Sequence, residues 1–194
     1  DLHNAILTTG VTKVFVAIGN YDVGSTSFIM KNGVEIYGGF DPASGITDLS
    51  HTRIMPNAAN TQGSVLNGQG IRPVIWNVFT SGTAMDNTAV LDGFTIFNGS
   101  YTDGAGIRNI YASPTLRNLV IRGNVATTSG AGILNNYSSP IIIQSIITDN
   151  TASKPNGNVF GAGIFNNNNA SPQIINSTIV ENKLITTTGS MNGA

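Results

Sequence analysis

The chain has 194 residues, 40% of them hydrophobic and only 10% charged, with a net charge of −1 and no cysteine. That balance excludes a disulfide scaffold and lacks the basic footprint of a nucleic-acid binder. No apolar run approaches the ~20 residues of a membrane span, and a surface with 24 asparagines, 23 glycines and so few charges suits an extracellular repeat protein.

In chain order, residues 1–10 read as a short amphipathic helix. Asp1 stands at the N-cap, Leu2, Ala5 and Ile6 share a face, and Gly10 stops it. Such a helix would cover one end of a repeat core. Lys13-Val14-Phe15-Val16-Ala17 reads as the first strand, with Gly19-Asn20-Tyr21 turning out of it. Ser27-Phe28-Ile29-Met30 and Val34-Glu35-Ile36-Tyr37 are predicted strands around a Lys31-Asn32-Gly33 turn. Residues 41–53 form a loop. Arg53-Ile54-Met55 and Ser64-Val65-Leu66 resume the strand pattern, and 73–80 and 89–96 continue it.

From Gly104 one phrase is written three times: Gly104-Ala105-Gly106-Ile107, Gly130-Ala131-Gly132-Ile133 and Gly161-Ala162-Gly163-Ile164. Each is followed by a Ser-Pro pair and an apolar run closed by asparagine, at Asn124, Asn150 and Asn182, spaced by 26 and 32 positions. A fixed period of this size means stacked repeats. About 26 residues are too few for a propeller blade, which needs about 40, and the leucine-rich pattern is missing. The remaining solution is all-β: a right-handed single-stranded parallel β-helix of about seven coils, with a cap over 1–10 and the helix over 11–194.

Stacking assigns roles to the repeat positions. Ile107, Ile133 and Ile164 form one inward column, Leu116, Ile142 and Ile174 a second, and Ile121, Ile147 and Ile179 a third. Asn124, Asn150 and Asn182 form a side-chain amide ladder, and the paired glycines permit a sharp bend at positive φ. Asn98 matches Asn124 at 26 positions, whereas the preceding Leu91-Asp92-Gly93-Phe94-Thr95-Ile96 matches at 25, which predicts a bulge near Asn98 and Gly99. The extra residues of 151–160 become a loop on one face. Gly193-Ala194 repeats the start of the Gly-Ala-Gly phrase, so the chain is expected to stop inside a repeat of a longer protein, its last coil an unpaired edge.

The segments Lys13–Ala17, Gly19-Asn20-Tyr21, Lys31-Asn32-Gly33-Val34-Glu35-Ile36-Tyr37-Gly38-Gly39-Phe40 and Leu91-Asp92-Gly93-Phe94-Thr95-Ile96 resemble secreted bacterial right-handed parallel β-helix proteins. The Gly-Ala-Gly-Ile and Asn units resemble the repeats of polymorphic outer-membrane proteins and related surface proteins. The resemblance implies a secreted or cell-surface setting; it does not choose among the adhesins, lyases and glycosidases built on this scaffold.

Chemistry is sparse. Arg108, Arg117 and Arg122 fall within one coil's length and would suit an acidic glycan, with ordinary surface arginines as the alternative. Tyr101, Asp103 and Tyr111 add an aromatic, polar neighbourhood that could stack a sugar. Asp149 and Glu181 share a column, a spacing that suits a retaining glycosidase; the alternative is two solvated turn residues. Leu134 and Phe165 occupy the outward slot of Arg108, an apolar stripe for a partner or for the 151–160 loop. His3 and His51 have no triad or zinc pattern, and the four Asn-x-Ser/Thr sequons, at Asn98, Asn136, Asn169 and Asn176, are expected by chance in so Asn-rich a chain. The reading is a non-catalytic stalk or adhesive surface without cofactor or metal, its partner a glycan or another surface protein. A fragment of a polysaccharide lyase or glycoside hydrolase is the alternative, and end-to-end self-association into a filament a third.

Overall fold

The computed structural model describes residues 1–58 and 62–193; Ala194, the expected end of the repeat domain, lies outside them. Its strands wind into a parallel β-helix. Face A stacks Lys13–Ala17, Glu35–Phe40, Val90–Asp92, Thr115–Arg117, Ile141–Ile143 and Gln173–Ile175. Face B stacks Gly19–Asp22, Ser64–Asn67, Phe94–Phe97, Val120–Arg122, Ile146–Thr148 and Thr178–Val180. Face C stacks Ile75–Val78, Ile107–Ile110, Ile133–Asn136 and Ile164–Asn167, with Phe28 bridging to Ile75 below them. The two longest sheets have six rungs each, close to the expected seven coils.

The period-2 alternation of β-branched residues builds this prism, because each strand turns alternate side chains inward and the next rung repeats them. Leu116, Ile142 and Ile174 are in register, as are Ile121, Ile147 and Ile179, and Ile107, Ile133 and Ile164. Ile121, Ile142 and Ile147 are fully buried, each burial contributing about 1.5–3 kcal/mol. Ile174 and Ile179, on the last rung, have a neighbour on one side only and stay 44% and 41% exposed. At the other end helix α1, Leu2–Leu7, is capped by the Asp1 carboxylate accepting from the Asn4 amide, and Ile6 plugs the core.

The corners come from single residues in the left-handed region. Between faces A and B these are Gly93, Asn118, Gln144 and Asn176; after face B they are Asn98, Gly123, Asp149 and Glu181. Stacked amide, carboxylate and glycine residues tolerate this backbone, which most side chains resist. The glycines of the Gly-Ala-Gly phrase divide their labour, which corrects the reading that both serve positive φ. Gly104, Gly130 and Gly161 hold φ of 65°, 57° and 47°, whereas the second glycine of each pair permits close stacking. A Cβ on Gly132 would lie 2.4 Å from the Gly163 carbonyl oxygen. Gly132→Ala therefore forces two rungs apart and costs about 2–3 kcal/mol, read as a Tm about 4–12 °C lower in thermal unfolding. Gly33→Ala, at φ 72° with open space around it, costs about 1–2 kcal/mol.

Four local expectations change. Gly19-Asn20-Tyr21 is not a turn but part of a strand paired with Ser64–Asn67, because Gly19 alone bends the chain after Ala17. Ser27 to Met30 makes one bridge and no strand. Arg53-Ile54-Met55 is not a strand either; the Ile54 amide donates to the Gly39 carbonyl at 2.8 Å, tying the 41–58 loop to face A. The register shift lies between Tyr101 and Asp103, not at Asn98. Val125 and Ala126 still pair at an offset of 25, with Ser100 and Tyr101, so Gly99 takes the ladder position.

Candidate functional site

The outer surface of face C carries one column of large side chains: Trp76, Arg108, Leu134 and Phe165, in register on successive rungs. They point outward because Ile75, Asn77, Ile107, Asn109, Ile133 and Asn135 alternate with them and are buried. Beside the column runs a fourth sheet, which starts at Ser100–Asp103 and continues through Val125–Ser129.

Tyr101 and Asp103 come from that first strand. The Tyr101 ring meets the Trp76 ring edge-on, centroids 5.2 Å apart. The Arg108 guanidinium lies 5.1 Å from the Trp76 centroid and 5.7 Å from that of Tyr101. Its Nη1 donates to the Asp103 carboxylate and, at 3.1 Å, to the Asp103 carbonyl. Cation–π contact and ion pair together fix the arginine as a flat lid between two aromatics. The group opens on a cleft of about 340 Å³ lined by Ser27, Ile29, Arg72, Pro73, Trp76 and Tyr101. Its volume sits at the small end of ligand clefts, and its mix of aromatic wall and few polar groups is typical of them.

Of the residues singled out from sequence, Tyr101, Asp103 and Arg108 are thus brought together. Tyr111 sits at the opposite edge of face C, three residues beyond Arg108 and so about 10 Å along the strand. It stacks on Tyr137 with centroids 4.8 Å apart and ring planes 3° from parallel. Arg117 and Arg122 lie elsewhere, because a left-handed corner at Asn118 separates them and another at Gly123 follows. Arg117 is on face A, bound to the buried Asp92 carboxylate, and Arg122 is on face B, 5.1 Å over the Phe97 ring.

Asn124, Asn150 and Asn182 form the expected ladder, closed inside the prism. Each Oδ1 accepts from the amide of the rung before it: Gly99 to Asn124 at 2.8 Å, Asn124 to Asn150 at 3.1 Å, Asn150 to Asn182 at 3.1 Å. Sequence reading missed a second ladder behind face C, where Asn77, Asn109, Asn135 and Asn166 pass one amide hydrogen bond from rung to rung at 2.9–3.1 Å. It also missed Trp76 and Arg72. Leu134 is covered at 3% exposure, and Phe165 stacks on Phe160 of the 151–160 excursion with centroids 5.5 Å apart, so the expected apolar stripe is roofed by the chain itself.

Asp149 and Glu181 do stack in one column, each exposed in a left-handed turn. Among the described residues no cluster of three histidine, aspartate or glutamate side chains converges as a metal site would require. A cavity of about 830 Å³ lies on face B between Ile54, Val65 and Phe97, and its described lining carries no charge. It shares no lining residue with the cleft beside Trp76, and cavity size alone says less about ligand chemistry than the convergent polar and aromatic groups of face C. Among the described residues no helix is long and apolar enough to cross a membrane. Compared with protein-family models, with curated protein sequences and with solved structures, the chain matches none.

Proposed function

We propose that this chain is a non-catalytic β-helix working outside the cell or on its surface, a stiff scaffold that holds a saccharide chain along face C. The observation that carries the reading is the Trp76–Tyr101–Arg108 cluster over its cleft. An aromatic face offers its apolar area to the C–H side of a sugar ring, while the hydrogen-bonding groups at its edge take the hydroxyls. The stacked Tyr111–Tyr137 pair gives the same face a second aromatic contact about 10 Å away along the strand direction, a span that a few sugar units cover. The rigid columns beneath hold these groups in place without ordering cost on binding.

Trp76→Ala tests this. A stacking anchor at the centre of a site is worth about 2 kcal/mol or more, so affinity for a bound oligosaccharide should fall roughly 30-fold or more with an unchanged circular dichroism spectrum. A glycan array identifies the oligosaccharide and calorimetry measures the loss. An unchanged affinity in the alanine variant would remove the cluster from the binding site. Cleavage of a uronate polymer by the purified chain, seen as unsaturated products, would replace this reading with the lyase alternative.

A further inference from the structure

The cleft contains a charge that the protein does not balance. Arg108, over the two rings, is matched by Asp103, but Arg72, in the wall of the cleft with Trp76 and Tyr101, forms no ion pair among the described residues. In a chain with only nine lysines and arginines, one unpaired guanidinium beside two aromatic rings is a distinctive placement. Its Nη1 donates to the Ser25 carbonyl, and the backbone carbonyl of Arg72 accepts from the Ser100 amide at 3.0 Å, so the side chain is anchored at both ends. Its Nε is buried and has no acceptor, and the Nε of Arg108, whose guanidinium lies over the Trp76 and Tyr101 rings, is in the same state. A buried donor without a partner costs about 1–3 kcal/mol, so the protein alone does not satisfy either guanidinium.

Resting on the saccharide reading above, we infer that the ligand is acidic: a sugar carrying one carboxylate, seated on the Arg72 guanidinium while its ring packs against Trp76 and Tyr101. One uncompensated positive charge calls for one negative charge. The planar fork of an arginine, with one arm already held by Ser25, presents its remaining N–H groups to the two oxygens of a carboxylate. A sulfated sugar brings the same single charge on a tetrahedral group that an arginine fork also binds in bidentate fashion, and the sulfated arm of the test separates the two. Arg117 and Arg122 take no part, since they stand on other faces.

The test compares the intact chain with three variants in calorimetric titrations against oligogalacturonate, a sulfated oligosaccharide and a neutral gluco-oligosaccharide of equal length. A charge-assisted pair contributes about 1.5–3 kcal/mol, so the uronate should bind roughly 10-fold to 100-fold more tightly than the neutral sugar. Arg72→Gln should bring that ratio close to one, the uronate losing affinity and the neutral sugar setting the floor. Arg72→Lys keeps the charge but loses the fork, and should fall between. Trp76→Ala should weaken all three ligands alike. A wild-type chain that binds neutral and acidic sugars equally, or an Arg72→Gln variant that keeps the preference, overturns this inference and leaves the saccharide reading standing. Preference for the sulfated sugar overturns the carboxylate assignment. Failure to bind any of the three, together with no response on a wider array, overturns both.

Discussion

Asn150→Ala should cost about 4–5 kcal/mol, near the top of what a single substitution does. The side chain is fully buried and connects three rungs. Its Oδ1 accepts from the Asn124 backbone amide at 3.1 Å and the Asn124 side-chain amide at 2.9 Å. Its Nδ2 donates to the carbonyl oxygens of Ile121 and Thr148 and to Asn182 Oδ1, at 2.9, 3.0 and 2.9 Å. Alanine removes all of these at once and leaves buried donors and acceptors with neither water nor protein, at about 1–3 kcal/mol for each one not rescued. Urea unfolding followed by the β-sheet dichroism band measures the loss. A change under 1 kcal/mol would show that the corner is held by the backbone alone. Asn182→Ala should cost less, because Asn182 is 9% exposed and its Nδ2 donates to two carbonyls where that of Asn150 has three acceptors.

Asp92→Ala should cost about 3–5 kcal/mol through a different mechanism. The Asp92 side chain is 3% exposed and accepts from Arg53 Nη2 and Asn118 Nδ2, both at 3.0 Å, and from Arg117 Nε. Arg53, only 14% exposed, also donates to the Gly38 carbonyl at 3.0 Å and lies 5.4 Å over the Tyr37 ring. Deleting the carboxylate strands two guanidinium groups, one of them nearly buried. It also releases the Arg53 latch of the 41–58 loop, so limited proteolysis should cut there first. Glu35→Gln is the contrast: the Lys13–Glu35 pair, at 3.7 Å with both partners well exposed, contributes about 0–1 kcal/mol. Equal losses in the two variants would mean that burial does not govern these pairs.

The prism could be read from the sequence because its core columns repeat Ile and Leu at the same positions in every marked unit, and the ladder of Asn124, Asn150 and Asn182 closes each unit. The second ladder obeys the same spacing, two residues after Ile107, Ile133 and Ile164, yet it went unread for two reasons. Its first rung, Ile75-Trp76-Asn77, follows Arg72-Pro73-Val74 instead of a Gly-Ala-Gly phrase, and its last, Asn166, opens a run of four asparagines. The same irregularity hid Trp76, the centre of the candidate site. The three arginines were grouped by chain distance, but the corner between Arg117 and Arg122 falls on Asn118 at φ 53°. Nothing in a lone asparagine announces a left-handed backbone unless its stacked partners Gly93, Gln144 and Asn176 are aligned with it. The unpaired charge of Arg72 depends on which side chains reach across a cleft, and that distance in space has no counterpart along the chain.

The extra residues of 151–160 form two short strands, Thr151–Ser153 and Val159–Phe160, and the next coil answers with Lys183–Ile185 and Met191–Asn192 directly above. At their tip Thr187 donates to Pro155 and Thr186 to Gly157. Neighbouring turns therefore have to agree on length. Trimming the bump from one turn alone orphans its mate, whereas shortening both together restores the tighter outline of the 125–129 stretch. Change along this rod should travel in matched pairs of turns, and a designer wishing to graft a new protrusion would need to write it twice.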